Sequence, residues 1–139
     1  MTHNEQPHIL IADDEIEWRK RFTSILKREG YKISCATSHE EVVRIINESN
    51  IDLICLDVLF DGEYLREGWI FDWTYLLTEL QEKNIPVIVI TGIDSRIDSD
   101  FLLKKSEEYS VSSILFKRTL DRNKFIAKVK KIISFSDKK

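Results

Sequence analysis

A chain of 139 residues is the size of one ordinary domain and has no room for a second core of similar size. With 42% hydrophobic and 32% charged residues it is neither a disordered nor a fibrous sequence, and no apolar run approaches the roughly 18 residues that cross a bilayer. The net charge of −3, with 21 basic and 24 acidic residues interspersed, leaves no basic footprint for direct contact with nucleic acid.

Residues 1–7 lack a basic region followed by an apolar stretch, so they are expected to be a short tail and not a secretory signal. One domain is expected over 8–135, a second short tail over 136–139, and a cytoplasmic location for the whole. Cys35 and Cys55 both sit in apolar runs and are expected to be reduced, buried thiols. His3, His8 and His39 show no ligand spacing and are expected at the surface or at strand edges.

The first apolar run, His8 to Ala12, reads as a strand. A helix follows in which Trp18, Phe22, Ile25 and Leu26 share a face, and Gly30 stands where a helix stops. Tyr31 to Ala36 restarts extended chain. Ser38, with Glu41 three residues on, forms a capping box for a second helix that runs through Val42, Val43, Ile45 and Ile46 and ends at Asn47 to Asn50.

Leu53 to Leu56 is the third strand and closes on Asp57. A third helix is expected from about Gly68 to Lys83, with Trp69, Trp73, Leu76, Leu77 and Leu80 in register. Its Trp69, Phe71, Trp73 and Tyr75 cannot all face inward on one helix, so at least one is expected to be exposed. Val87 to Thr91 is the fourth strand, Arg96 to Tyr109 a fourth helix, Ser113 to Phe116 the fifth strand. The last helix runs from Asp121 to Phe135, with Phe125, Ile126, Val129, Ile132 and Ile133 on one face.

The first, third and fourth strands (HILIA, LICL, VIVI) are apolar at nearly every position, the pattern of strands covered on both faces. Strands alternating with helices imply right-handed crossovers and a five-stranded, doubly wound parallel sheet of the α/β class. In such sheets ligands bind beyond the carboxyl ends of the strands. Those ends carry Asp13 and Asp14, Asp57, Thr91 and Lys117.

Close carboxylates repel by several kcal/mol per pair at an effective dielectric near 20, and a hard divalent cation removes that cost. Mg²⁺ fits, because the cluster offers oxygen donors with no His or Cys at hand. With such an ion bound, Asp57 has the chemistry of a nucleophile toward a phosphoryl donor, and the Lys117 ammonium and Thr91 hydroxyl can meet the charge on the phosphoryl oxygens.

The segments IADD, LICLD, VIVITG and ILFK, in this order along almost the whole chain, resemble the signature of response-regulator receiver domains. The resemblance implies a flavodoxin-like fold of strand order 2-1-3-4-5 and phosphorylation of Asp57 by a histidine kinase or a histidine phosphotransfer protein. It implies a metal set of Asp13, Asp14 and Asp57, Thr91 as the switch hydroxyl and Lys117 as the phosphoryl contact. It also suggests the first helix for docking the donor, and the fourth helix, fifth strand and fifth helix for a downstream protein partner or a homodimer.

The departures are specific. Arg118 follows Lys117 where the family usually has a cis-linked proline, and Ile114 takes the place of a switch aromatic. The segment VLFDGEYLRE after Asp57 is about three residues longer than the family norm and adds Asp61, Glu63 and Glu67. Leu59 and Ile93, two residues beyond Asp57 and Thr91, cannot orient a hydrolytic water, so a long-lived phosphorylated state is expected.

The leading expectation is a stand-alone receiver that promotes its own phosphorylation and slow dephosphorylation, and signals by protein contact without being a turnover enzyme of the usual kind. A receiver-like binding module that works without phosphorylation is the alternative, motivated by Arg118, Ile114 and the long segment. A flavodoxin-like or phosphatase-like enzyme is disfavoured, because the chain has four Gly and no Gly-rich phosphate loop.

Overall fold

The structure, a computed structural model, describes residues 6–57, 75–92, 103–104, 106–109 and 111–137. Five parallel strands, β1 (His8–Ala12), β2 (Lys32–Ala36), β3 (Leu53–Leu56), β4 (Val87–Thr91) and β5 (Ser113–Phe116), form one sheet of order β2-β1-β3-β4-β5. The helices are α1 (Ile16–Arg28), α2 (His39–Glu48), α3 with helical residues 75–82, α4 with helical residues 103–104 and 106–108, and α5 (Arg122–Asp137). The expected starts of the third and fourth helices lie outside the described residues, as does the segment after Asp57.

Strand β1 shows why the sheet is doubly covered. Side chains alternate across a strand, so Leu10 and Ala12 enter one core with Val42 and Ile46 of α2 and Leu76, Leu77 and Leu80 of α3. Ile9 and Ile11 enter the other, with Phe22, Ile25 and Leu26 of α1 and Phe125, Val129 and Ile133 of α5. All residues of β1, β3 and β4 are buried, whereas β2 at one edge is partly exposed and β5 at the other is half-buried. Each fully buried large apolar side chain contributes about 1.5–3 kcal/mol relative to exposure.

The ends of the helices follow their sequence signals. Gly30 adopts φ +93 after α1, and the N–H groups of Gly30 and Tyr31 donate to the Lys27 and Leu26 carbonyls, so Gly closes the helix where other residues would be strained. Ser38 Oγ accepts from the Glu41 N–H at 3.1 Å. Glu41 reaches back to the Thr37 N–H at 2.7 Å, one residue before the cap itself. Asp121 Oδ1 accepts from the Lys124 N–H at 3.0 Å and caps α5.

Two expectations about burial are corrected. His8 is buried, because β1 lies between β2 and β3; its ring Nε2 meets Ser34 Oγ at 2.7 Å and its N–H donates to Asp52 Oδ2 at 2.8 Å. Cys35 is exposed, because β2 is an edge strand. Cys55 is buried, and burial pushes its thiol pKa up to about 12, so it acts as a core residue. Tyr75 is the exposed aromatic anticipated in its cluster; Trp69, Phe71 and Trp73 lie outside the described residues.

Candidate phosphoryl-acceptor site

The reversal of strand order falls between β1 and β3, and the strand ends there carry the two most deeply placed carboxylates among the described residues. Asp13, directly after β1, is 2% exposed, and Asp57, directly after β3, is 4% exposed. Backbone bonds hold both: the Asp13 N–H donates to the Ala36 carbonyl and the Asp57 N–H to the Ala12 carbonyl. Asp13 Oδ1 also accepts from the Glu15 N–H at 2.9 Å, which turns the chain toward α1. Arg19 closes the same turn by donating to the Asp13 carbonyl at 3.0 Å.

From the other side, β5 delivers Lys117 at the first position of a short 3-10 turn, Lys117–Thr119. Its peptide bond to Arg118 is trans. The ammonium lies 2.8 Å from Asp13 Oδ2, 2.8 Å from Asp57 Oδ2 and 3.4 Å from Glu15 Oε2. The approach to Asp57 is an aligned hydrogen bond; that to Asp13 Oδ2 is close but poorly aligned. Thr91, the last residue of β4, is fully buried, and Gly92 beside it lies next to the Lys117 stem.

One ammonium shared among three carboxylates explains the pKa directions. Burial pushes the Asp13 carboxyl above its usual value, and the Glu15 charge adds to this; Lys117 and the Glu15 N–H counter only part of it. Burial pulls Lys117 down, but the Asp57 charge, the close contact with Asp13 and the bond to Asp57 outweigh it, so its pKa is raised. Among the described residues the cluster formally holds three negative charges against one positive.

All five expected strand-end residues thus lie at the same end of the sheet, and three of them, Asp13, Asp57 and Lys117, are in contact. Asp14 is exposed and lies outside the group whose carboxylate oxygens come within 4.8 Å of one another; that group is Asp13, Glu15 and Asp57. Glu15 was not singled out from sequence, although a third acid directly after the Asp pair was the available signal. Leu59 and Ile93 lie outside the described residues. The donor set suits a hard cation: every ligand is a carboxylate oxygen, and the buried Asp13 Oδ2 lacks an aligned donor.

The structure thus combines a doubly wound 2-1-3-4-5 sheet with an acidic crevice and a lysine at its carboxyl end. Residues 9–130 match the response regulator receiver domain family model, and the chain belongs to that family. The aerobic respiration control protein ArcA of Escherichia coli K12 is 34% identical over 95 residues, covering 68% of this chain and 37% of the relative. A probable transcriptional regulator, ycf27, of Cyanidium caldarium is 33% identical over 97 residues, covering 69% and 36%. The chain therefore spans little more than a third of these relatives.

Among solved structures, a CheY-like response regulator receiver domain protein from Methanospirillum hungatei superposes with a TM-score of 0.78 at 20% identity, covering 96% of this chain and 98% of the other. The response regulator TrrA from Thermotoga maritima, in complex with Mg²⁺-BeF, superposes with a TM-score of 0.71 at 26% identity, covering 91% and 99%. Receiver domains as a family take a phosphoryl group on aspartate from histidine kinases or phosphotransfer proteins. Among the described residues no helix is long and apolar enough to cross a membrane.

Proposed function

We propose that this domain is a cytoplasmic phosphoacceptor of a two-component pathway, phosphorylated on Asp57 and signalling through protein contacts. The observation that carries the reading is the Lys117 ammonium held 2.8 Å from both Asp57 and Asp13 at the carboxyl end of the sheet. A binding module with no phosphoryl chemistry has no use for a buried cluster of like charges that costs several kcal/mol to assemble.

Asp57 and Asp13 would hold Mg²⁺, with Asp14 supplied by the family pattern and Glu15 by proximity. When bound, the ion would neutralise charge on the carboxylates and on the incoming phosphoryl oxygens. An Asp57 carboxylate oxygen attacks phosphorus as the bond to the donor's nitrogen or acyl oxygen breaks, leaving an acyl phosphate on Asp57. Lys117 moves its hydrogen bond from the carboxylate to a phosphoryl oxygen, and the Thr91 hydroxyl serves a second one. Leu59 and Ile93, two residues beyond Asp57 and Thr91 in the sequence, are apolar and cannot orient a water, so hydrolysis is slow.

Intact mass after incubation with Mg²⁺ and acetyl phosphate tests the reading. The wild-type chain gains one phosphoryl group, and Asp57→Asn or omission of the ion abolishes the gain. A folded wild-type chain that gains nothing would favour the phosphorylation-independent module.

A further inference from the structure

Trp18 belongs to the first turn of α1 and is only half-buried, yet it is tied to the core through rings. Its centroid lies 5.4 Å from Phe22, and Phe22 lies 5.3 Å from Phe125, both of the latter being buried. At its outer end this aromatic ladder reaches the acidic site. The Lys117 Nζ lies 5.1 Å from the Trp18 ring centroid while it contacts Asp13 and Asp57, and its side chain is only 6% exposed.

We propose that Trp18 is a positioning residue for Lys117, its indole forming the cation-binding wall that seats the ammonium over the Asp13–Asp57 pair. Tryptophan is the strongest aromatic partner for a cation within about 6 Å of its centroid, and the attraction grows as water is excluded. Lysine has a flexible four-carbon stem and loses much rotamer freedom when fixed. The ladder fixes the indole, and the indole narrows the places where the ammonium can rest. Arg21, whose guanidinium carbon is 5.0 Å from the same centroid, braces the ring from its own helix.

The inference rests on the phosphoacceptor reading for its consequence, but the seat itself can be observed without phosphorylation. Since the seated ammonium occupies the carboxylates that a divalent ion needs, loosening it has opposite effects on ion binding and on phosphoryl transfer. A general loss of structure would weaken both.

Wild-type, Trp18→Leu and Trp18→Phe chains are compared by NMR of the Lys117 side chain, by calorimetric titration with Mg²⁺, and by intact-mass rates of Asp57 phosphorylation at saturating Mg²⁺. Ring current shifts the wild-type Lys117 methylene protons upfield, and Trp18→Leu returns them to ordinary values. A contact of this kind predicts that Trp18→Leu binds Mg²⁺ about threefold more tightly yet is phosphorylated about fivefold more slowly, with Trp18→Phe between the two. Unshifted Lys117 protons in the wild type, or a Trp18→Leu chain weakened in parallel for both ion and phosphoryl group and not rescued by Phe, overturns the proposal. A wild-type chain that binds Mg²⁺ but gains no phosphoryl group sinks the phosphoacceptor reading instead, and the NMR and ion-binding results then decide the role of Trp18.

Discussion

Both ends of the sheet bury polar groups, and the two ends do opposite things with them. At the amino end buried His8 closes on half-buried Ser34 and exposed Asp52: its backbone N–H meets the carboxylate and its ring nitrogen meets the hydroxyl, each below 3 Å. At the carboxyl end, among the described residues, three carboxylates share one ammonium and carry more negative charge than it offsets. Buried polarity that pairs off among its own members is structural. Buried polarity that leaves a charge uncompensated costs stability unless another group arrives, and that unmet demand distinguishes a site from a strut.

The sharpest way to break the contrast is to remove the cation that partly compensates the carboxyl end. Lys117→Met leaves Asp13 and Asp57 buried without their ammonium, and loss of one partner of a buried ion pair costs about 3 kcal/mol. Thermal melts of the ion-free variant register that loss, and millimolar Mg²⁺ restores most of it. If the melting temperature is unchanged, the cluster is not under electrostatic strain.

A smaller effect comes from pH. The Asp13 carboxyl is raised above its usual value, so the folded chain holds that proton more tightly than the unfolded chain does. The corresponding stability is present below the unfolded value near 3.8 and is lost as pH rises through the raised folded value. Ion-free stability measured by urea titration at rising pH therefore falls across that window in the wild type, and the fall shrinks in Asp13→Asn. Added Mg²⁺ counters it by favouring the ionised carboxylate.

The amino end supplies the smallest effect and the control. Replacing His8 by Ala removes one satisfied hydrogen bond of the ring and costs about 1 kcal/mol beyond its packing. Burial and the Lys32 charge lower the His8 pKa, while Asp52 partly opposes them. The neutral ring's stability is thus present above 6.5 and lost as pH falls through the lowered value. His8→Ala loses this acid-side dependence, and its Mg²⁺-induced melting shift equals that of the wild type. A changed shift would mean that the two ends of the sheet communicate.

The strands and the polar residues that end them were legible because both signals are local. A continuous apolar run such as VIVIT cannot satisfy its side chains except between two layers, and an aspartate directly after such a run must emerge at the sheet's carboxyl end. Caps were legible for the same reason: Ser38 with Glu41, and Gly30, act within a few residues of themselves. Burial of His8 and exposure of Cys35 were not legible, because they depend on which strands are central and which are edges. Pairing between β1, β2 and β3 decides that, and no single strand encodes it.

Within the site the same division holds. The sequence alone led to the expectation of phosphoryl-acceptor chemistry from Asp13, Asp14, Asp57, Thr91 and Lys117, since these residue types at strand ends have few other uses in that combination. Only the tertiary structure put Glu15 nearer the cluster than Asp14, because the turn after β1 presents successive side chains in different directions. Only it carried Trp18 from the apolar face of α1 to the Lys117 ammonium, a contact between residues 99 positions apart. Contacts of that separation arise from packing α1 on one face of the sheet with its first turn near the carboxyl end, a consequence of the whole fold that no local pattern of residues contains.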